Sequence, residues 1–215
     1  MRALATGYLS RRFVLLGMLI CSMLVGLDAW HEWDQRAADI HQTETSALNV
    51  ARAVAREADA TFRLADTILF GITERLQNGG RSPEALGRLS RSLATATRSL
   101  ESVGALFVYE AEGNWIASSL AQLPPGVNNA DRAYFQYHKT TSALTPHLSE
   151  PIQSRSSGAW IILVSRRLQN SDGSFAGVVA ATVDVERFFQ RFSGFDVGPG
   201  GAIALLTQEG RILAR

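Results

Sequence analysis

The chain has 215 residues, 46% of them hydrophobic, and its 21 basic and 20 acidic residues leave a formal net charge of +1. This near-neutral balance lacks the basic excess of nucleic-acid-binding proteins, so we expect no nucleic acid partner. The only cysteine, Cys21, lies in an apolar N-terminal run, so the rest of the sequence can form neither a disulfide nor a thiolate metal site.

The N-terminal segment predicts a membrane anchor. No charged residue occurs between Phe13 and Leu27, arginines precede this run, and the first acid of the chain is Asp28. With its flanking residues, the run reaches the roughly 20 residues that a membrane span needs. Positive charge before the span favours a cytoplasmic N-terminus. We therefore predict a cytoplasmic segment at 1–11, a transmembrane helix at 12–30, and the rest of the chain outside the inner membrane of a bacterium.

Three other N-terminal signals begin with a similar pattern. A cleavable signal peptide is one alternative, but no small-x-small site follows Leu27. A lipoprotein signal would use Cys21, but Ile20 before it is not small. The pair Arg11 and Arg12 is compatible with a twin-arginine signal, although paired arginines also precede ordinary anchors. N-terminal sequencing of the mature protein distinguishes these alternatives from the uncleaved anchor that we prefer.

Residues 31–77 predict one long amphipathic helix, since they contain no proline and only one glycine, Gly71. A second copy of the chain can pair along this helix, so a homodimer through 31–77 is one expected partner. A second helix follows from Ser82, Pro83 and Glu84, which provide a cap, a first-turn proline and a first-turn acid. Residues 31–100 therefore form a helical scaffold. Its long helix has apolar or small residues in steps of three and four, at Ala47, Ala51, Val54, Ala58, Phe62, Ala65, Leu69, Ile72 and Leu76.

After Glu101 the hydrophobic period changes to that of strands. The predicted elements are strands at 103–109 and 115–120, a helix at 132–139 that Asp131 can cap, a hairpin of 151–155 with 160–168, a strand at 175–183, a helix at 185–192, and a hairpin of 202–207 with 211–214. The fold class is therefore α+β, with an antiparallel sheet and short helices at 101–215. The short last arm suggests that the sequence is a truncated version of a longer protein.

The sequence contains none of the common catalytic or metal-binding motifs. No P-loop, no H-E-x-x-H pair and no G-x-S-x-G elbow occurs. The four histidines, His31, His41, His138 and His147, do not have the spacing of metal ligands with carboxylates. We therefore predict a protein that is not an enzyme and has no catalytic residues, metal or cofactor.

The order of motifs resembles the extracytoplasmic Cache sensor domains (PAS-like, PDC) of bacterial receptors, and most of all the module ahead of GGDEF diguanylate cyclases. The likeness covers residues 30–215 and rests on 106–109 with Gly113, 131–135, Ser154 and Arg155 with Gly158 and Trp160, 165–167, and 172–184. The resemblance implies a sheet with the long helix on one face and a ligand pocket on the other. It also implies a second membrane helix that leads to a cytoplasmic output domain. This sequence contains neither a second membrane helix nor a GGDEF motif.

The resemblance also implies which residues contact a ligand. Amino-acid-binding members hold the ligand carboxylate with an Arg-x-aromatic-aromatic motif, which Arg132, Tyr134 and Phe135 match. They hold the ligand ammonium with an acid at the end of a later strand, which Asp184 matches. Two plainer interpretations stay open: Arg132 is solvated beside a capping Asp131, and Asp184 is an ordinary helix cap.

Arg132 and Arg155 together predict a small anionic organic ligand, because a guanidinium group matches a carboxylate with two parallel hydrogen bonds. The other acid that amino-acid-binding members use would fall near Ser154, and its absence weakens the case for an amino acid. The predicted pocket walls are Tyr109, Tyr137 and Trp160. The alternative is that these aromatic residues belong to the hydrophobic core. Arg166 and Arg167 point to opposite sides of a strand, so only one of them can face a given pocket.

Two functions follow from the sequence. The first is a ligand-gated input domain for signal transduction across a membrane. The alternative is a structural or oligomerising membrane-anchored protein that binds no ligand.

Overall fold

The computed structural model describes residues 2–100, 102–122, 126–195, 200–207, 210 and 212–214, without the side chains of 2–15, 34, 37–41 and 214. The chain divides into two compact units, Met1–Ala51 and Arg52–Arg215. The first helix, α1 (Arg2–Gly79), contributes residues to both units.

The first unit is helical throughout its described residues and exposes apolar side chains, among them Leu16, Leu27, Trp30 and Trp33. No helix among the described residues combines the length and the apolar character that a membrane crossing requires. The anchor at residues 12–30 therefore stays a prediction.

In the second unit, most of the apolar or small residues that recur along one face of α1 are buried. Val54, Ala58, Ala65, Leu69, Ile72 and Leu76 are each at most 5% exposed. Helix α2 (Pro83–Arg98) begins as predicted, because the Ser82 side chain accepts a hydrogen bond of 3.3 Å from the backbone N–H of Ala85. Leu89 and Leu93 of α2 are buried.

The sheet of the second unit is antiparallel in every pair of strands. The bounds of the elements are β1 (Leu106–Tyr109), β2 (Trp115–Ser118), α3 (Ala133–Thr140), β3 (His147–Leu148), β4 (Ile152–Gln153), β5 (Trp160–Gln169), β6 (Phe175–Asp184), α4 (Val185–Gln190), β7 (Leu205–Leu206) and β8 (Ile212–Ala214). The strand order in the sheet is β2-β1-β6-β5-β3, and β4 also pairs with β5. The α+β class is confirmed, whereas β3 was not predicted and β4 and β7 are shorter than expected.

Alternate strand residues separate two hydrophobic clusters, one on each face of the sheet. The side chains of Leu106, Val108 and Val179 pack with α1 and α2 on one face. The side chains of Phe107, Tyr109 and Leu163, with Tyr134 and Phe135 of α3, form the other cluster. The sheet therefore has the helical scaffold on one side and leaves its other side for α3 and the loops, as the resemblance implied.

The two consecutive arginines of β5 follow this alternation. Arg166 points toward α1, where Nε lies 2.5 Å and Nη2 lies 3.1 Å from the two carboxylate oxygens of Asp66. Arg167 points to the opposite face and is 7% exposed. This ion pair joins α1 directly to the middle of the sheet.

Candidate functional site

A small cavity lies on the face of the sheet opposite α1, between β1, β5, the start of α3 and the turn that joins β4 to β5. Its volume is about 20 Å³, which is room for about one water molecule. The lining residues are Phe107, Tyr109, Trp115, Asn129, Arg132, Tyr134, Ile152, Gln153, Ser154, Arg155, Ser156, Ile161, Leu163 and Thr182. Among the described residues, no carboxylate lines it.

Four aromatic rings form one wall of the cavity. Phe107 and Tyr109 are alternate residues of β1, so their rings share one face and stack with centroids 6.0 Å apart. Trp115, on the neighbouring strand β2, lies 4.7 Å from Phe107 and 5.7 Å from Tyr109. Tyr134 of α3 completes the wall, with its centroid 6.3 Å from that of Tyr109.

The polar groups of this wall are held in place by Asn129. Its Nδ2 donates a hydrogen bond of 2.6 Å to the Tyr134 hydroxyl, and its Oδ1 accepts one of 3.3 Å from Trp115 Nε1. Burial raises the pKa of Tyr134, and it raises the pKa of Tyr109 well above the ordinary value, with a smaller contribution from Tyr134. Both phenols therefore stay neutral, so the wall adds polarity without charge.

Arg155 projects from the β4–β5 turn, and its charge is balanced by Asp131. Its Nη1 and Nη2 lie 2.9 and 2.7 Å from the two carboxylate oxygens of Asp131. This hydrogen bonding lowers the pKa of Asp131 and raises the pKa of Arg155. Nη1 also donates to the backbone oxygen of Asn128.

The expectation that Asp131 caps α3 is wrong. The N-cap residue of α3 is Arg132, and its side chain makes no capping hydrogen bond. Asp131 is instead paired with a residue 24 positions further along the chain. Its carboxylate closes the cavity by holding the β4–β5 turn against the start of α3.

Arg132 differs from Arg155 in having no ion-pair partner among the described residues. Its Nη2 donates a hydrogen bond of 2.9 Å to the backbone oxygen of Gln153. No carboxylate in the described part of the chain lies within ion-pairing distance of it. Arg132 therefore gives the cavity one positive charge that the surrounding side chains do not neutralise.

Arg132 also lines a second, wider groove of about 950 Å³. This groove lies between α1, α3, residues 147–152 and the β7–β8 hairpin, and Tyr134 and Ile152 border both spaces. Glu150 and Asp59 are the acids of its lining.

The structure brings together four of the eight predicted ligand residues, Tyr109, Arg132, Tyr134 and Arg155. The other four lie elsewhere. Phe135 is in the core, with its ring 5.4 Å from that of Phe175, and Trp160 is 58% exposed. Tyr137 lines the second groove and stacks on His147, with centroids 4.1 Å apart. Asp184 caps α4, accepting a hydrogen bond of 3.0 Å from the backbone N–H of Arg187.

Sequence reasoning missed several lining residues. Phe107 and Thr182 were detectable, because each lies two positions from a predicted ligand residue on the same strand, Tyr109 or Asp184, and therefore on the same face. Trp115 becomes apparent only once the pairing of β1 with β2 is known. Asn129 had no signal, since it lies in a loop whose contacts depend on the complete fold.

A buried polar layer beneath α3 holds this helix on the sheet. His138 is fully buried, and its Nε2 lies 2.9 Å from the Ser165 hydroxyl of β5. Arg167 donates to the backbone oxygen of His138 and lies over the ring of Phe175. Burial is the main cause that lowers the pKa of His138 to about 4, and the nearby His147 and Arg167 add to it. Because Arg132 is the N-cap residue of α3, this layer helps to position Arg132 at the cavity.

Comparison with known proteins identifies the family. The dCache_1 family model, described as a Cache domain, matches residues 33–215. The chain belongs to the Cache domain family. No curated protein sequence matches the chain.

Solved structures agree with this assignment. The extracellular domain of rpHK1S-Z16, described as a histidine kinase, is 36% identical, with a TM-score of 0.71, over 81% of this chain and 70% of that one. The ligand-binding domain of the Pseudomonas aeruginosa PAO1 amino acid chemoreceptor PctC, in complex with GABA, is 18% identical, with a TM-score of 0.59, over 81% of this chain and 76% of that one. The ligand-binding domain of the Pseudomonas fluorescens chemoreceptor CtaA, in complex with L-serine, is 18% identical, with a TM-score of 0.58, over 84% of this chain and 73% of that one.

These matches confirm the Cache resemblance and support a sensing role in a receptor. They do not single out the module of GGDEF cyclases, since these relatives are sensor domains of a histidine kinase and of chemoreceptors.

Proposed function

We propose that this Cache domain is the extracytoplasmic input domain of a membrane signal-transduction receptor, and that its small cavity binds a carboxylate-type ligand. The observation that carries the proposal is Arg132, a guanidinium group that faces an aromatic-walled cavity without a carboxylate partner among the described residues. A half-buried cation without a counter-charge is costly, and a bound carboxylate would offset that cost with two charge-assisted hydrogen bonds.

The proposal includes the membrane anchor at residues 12–30, with the N-terminus in the cytoplasm and the Cache domain outside. The exposed apolar side chains of α1 in this segment support it. Pairing of two copies through residues 31–77 belongs to the same proposal. The matched relatives are sensor and ligand-binding domains, and we propose that this chain likewise performs no catalysis. Its output is a diguanylate cyclase or, as in the relative with 36% identity, a histidine kinase.

Signalling requires that ligand binding changes the conformation of the domain. A cavity of about 20 Å³ is too small for an organic acid, so a carboxylate can lie against both Arg132 and the aromatic wall only if the cavity widens, which we assign to a movement of the β4–β5 turn. The ion pair between Arg155 and Asp131 resists this movement. A ligand shifts the balance between the closed and the open turn by no more than its difference in affinity for the two.

The second candidate is a structural membrane-anchored protein that binds no ligand. The small size of the cavity favours it, because a cavity too small for an organic acid is also what a vestigial site would have. Ligand binding and its consequence for α1 separate the two candidates.

Calorimetry of the full-length chain in detergent, with a panel of small mono- and dicarboxylates, tests the proposal. We expect at least one carboxylate to bind, and Arg132→Ala to weaken it by roughly tenfold or more, as loss of a charge-assisted hydrogen bond requires. Arg88→Ala is the matched control, because Arg88 is an exposed arginine of α2, which packs on the face of the sheet opposite the cavity. Equal binding by Arg132→Ala would remove Arg132 from the site, and absence of any binding would favour the structural alternative.

A further inference from the structure

The charges around the cavity are unevenly distributed. Arg132 and Arg155 are its only charged lining residues among those described, and Asp131 neutralises the second of them from outside the lining. The cavity therefore presents one uncompensated positive charge and no negative charge. This asymmetry decides which carboxylates fit.

An ammonium group in this cavity would have no carboxylate to contact. A buried ammonium group without an anionic partner is strongly disfavoured. Asp184 ends the strand that contributes Thr182, but its side chain is engaged at the start of α4 and does not line the cavity. A ligand ammonium would also lie beside the guanidinium group of Arg132, and like charges repel in a space of low dielectric constant.

The neutral oxygens of the lining offer little compensation, because they do not balance the charge of an ammonium group and several already accept hydrogen bonds within the protein. The Thr182 hydroxyl accepts a hydrogen bond of 2.8 Å from the backbone N–H of Ala105. The Ser154 hydroxyl lies 2.9 Å from that of Ser156 and accepts from backbone N–H groups of its own turn. The Tyr134 hydroxyl accepts from Asn129.

The aromatic wall determines what the rest of the ligand must be. Phe107, Tyr109, Trp115 and Tyr134 present ring faces and edges, which favour flat or aliphatic groups. From the charge and the wall together, we infer that the site selects carboxylates that carry no ammonium group and have an apolar body, and that it rejects the corresponding amino acids. This inference rests on the proposed function.

Glu150 and Asp59 are the acids that an amine-bearing ligand held by Arg132 could reach. Both line the wider groove on the other side of Arg132 and are absent from the cavity lining. If an amino acid bound with its carboxylate on Arg132 and its ammonium group near Glu150, Glu150→Gln would weaken it. The inference predicts that Glu150→Gln leaves carboxylate affinity within about twofold of the wild type.

The test uses pairs of carboxylates that differ at one position, where one member has an ammonium group and the other has hydrogen or a hydroxyl group. Butyrate is compared with GABA, lactate with alanine, and 3-phenyllactate with phenylalanine, by calorimetry of the full-length chain. We expect the member without the amine to bind at least roughly tenfold more tightly wherever a pair binds at all. Equal or tighter binding of the amine-bearing member overturns the inference and leaves the proposed function standing, and weakening of that binding by Glu150→Gln would assign the ammonium group to Glu150. Failure of all six compounds and of the wider carboxylate panel would overturn the proposed function itself.

A gain-of-function variant provides an independent readout. Ser154→Asp puts a carboxylate into the lining at a half-buried turn position, and aspartate can keep the side-chain hydrogen bonds to the turn that Ser154 makes. We expect this variant to narrow or reverse the preference within each pair. Ser157→Asp, at an exposed position of the same turn outside the lining, is the matched control and should leave the preference unchanged. A preference that Ser154→Asp does not move would contradict the charge argument.

Discussion

Acidification should destabilise this domain through His138, the fully buried histidine beneath α3. Its pKa is lowered from 6.5 to about 4, so the folded state resists a proton that the unfolded chain accepts. Above pH 6.5 the histidine is neutral in both states and has no effect on the free energy of unfolding. As the pH falls below 6.5, only the unfolded state gains the proton, and the stability of the fold decreases until about pH 4.

The magnitude follows from the two pKa values. Between pH 7.5 and pH 5, the shift corresponds to about 2 kcal/mol of lost unfolding free energy, with a limit of about 3 kcal/mol below pH 4. Several groups face His138 from the elements around it: Ser165 and Arg167 of β5, His147 of β3, and Tyr137 of α3. None of these is an acid that would stabilise the protonated ring.

The assay is urea unfolding of the full-length chain at pH 7.5 and at pH 5. His138→Gln keeps an amide near Ser165 but cannot titrate, so the acid-induced loss should shrink by about 2 kcal/mol relative to the wild type. His31→Gln is the control, since His31 is an exposed residue of α1 that contacts Gln35. An identical pH dependence in the wild type and in His138→Gln would refute the reasoning. His147, whose pKa is also lowered by burial, would then be the residue to examine.

Two further variants, Gly177→Ala and Asp66→Asn, test the packing of the sheet, and each has a matched control. Gly177→Ala should cost roughly 2–4 kcal/mol of unfolding free energy, because φ is +128° there and a Cβ would collide with the backbone of Tyr109. Gly158→Ala, at φ +71° with nothing within 4 Å, should cost only about 1 kcal/mol in the same melts. Asp66→Asn breaks the half-buried pair with Arg166 and should cost about 1–3 kcal/mol. The matched change Asp59→Asn should cost less than about 1 kcal/mol, and equal losses for the two would contradict the assigned burial.

Local patterns predicted the framework of this domain well. The apolar steps along α1, the serine cap of α2 and the continuous apolar run of β6 each depend on neighbours within a few residues. Alternation along β5 correctly placed Arg166 and Arg167 on opposite faces. These features follow from the residue spacing within single segments, so they can be predicted without knowledge of the fold.

The site was harder to predict because it is assembled from separate segments. Strand alternation predicts which residues share a face. Strand pairing determines which tryptophan contacts Phe107, and this tryptophan is Trp115, not Trp160. The partner of Asp131 could not be deduced, because a local cap and a distant arginine were equally compatible with its position. Phe135 adjoins Tyr134 in sequence, yet the two point to different neighbours, since successive helical residues are rotated by about 100°.

Tryptophan fluorine NMR tests directly whether the cavity is the ligand site. The chain has four tryptophans, of which Trp115 lines the cavity, while Trp30, Trp33 and Trp160 are exposed outside it. With fluorinated tryptophan incorporated and each resonance assigned by a Trp→Phe variant, a binding carboxylate should shift the Trp115 resonance in a saturable way. The Trp160 resonance should stay in place, and Arg132→Ala should abolish the Trp115 shift at the same concentration. A carboxylate that binds but moves Trp160 and not Trp115 would contradict the account.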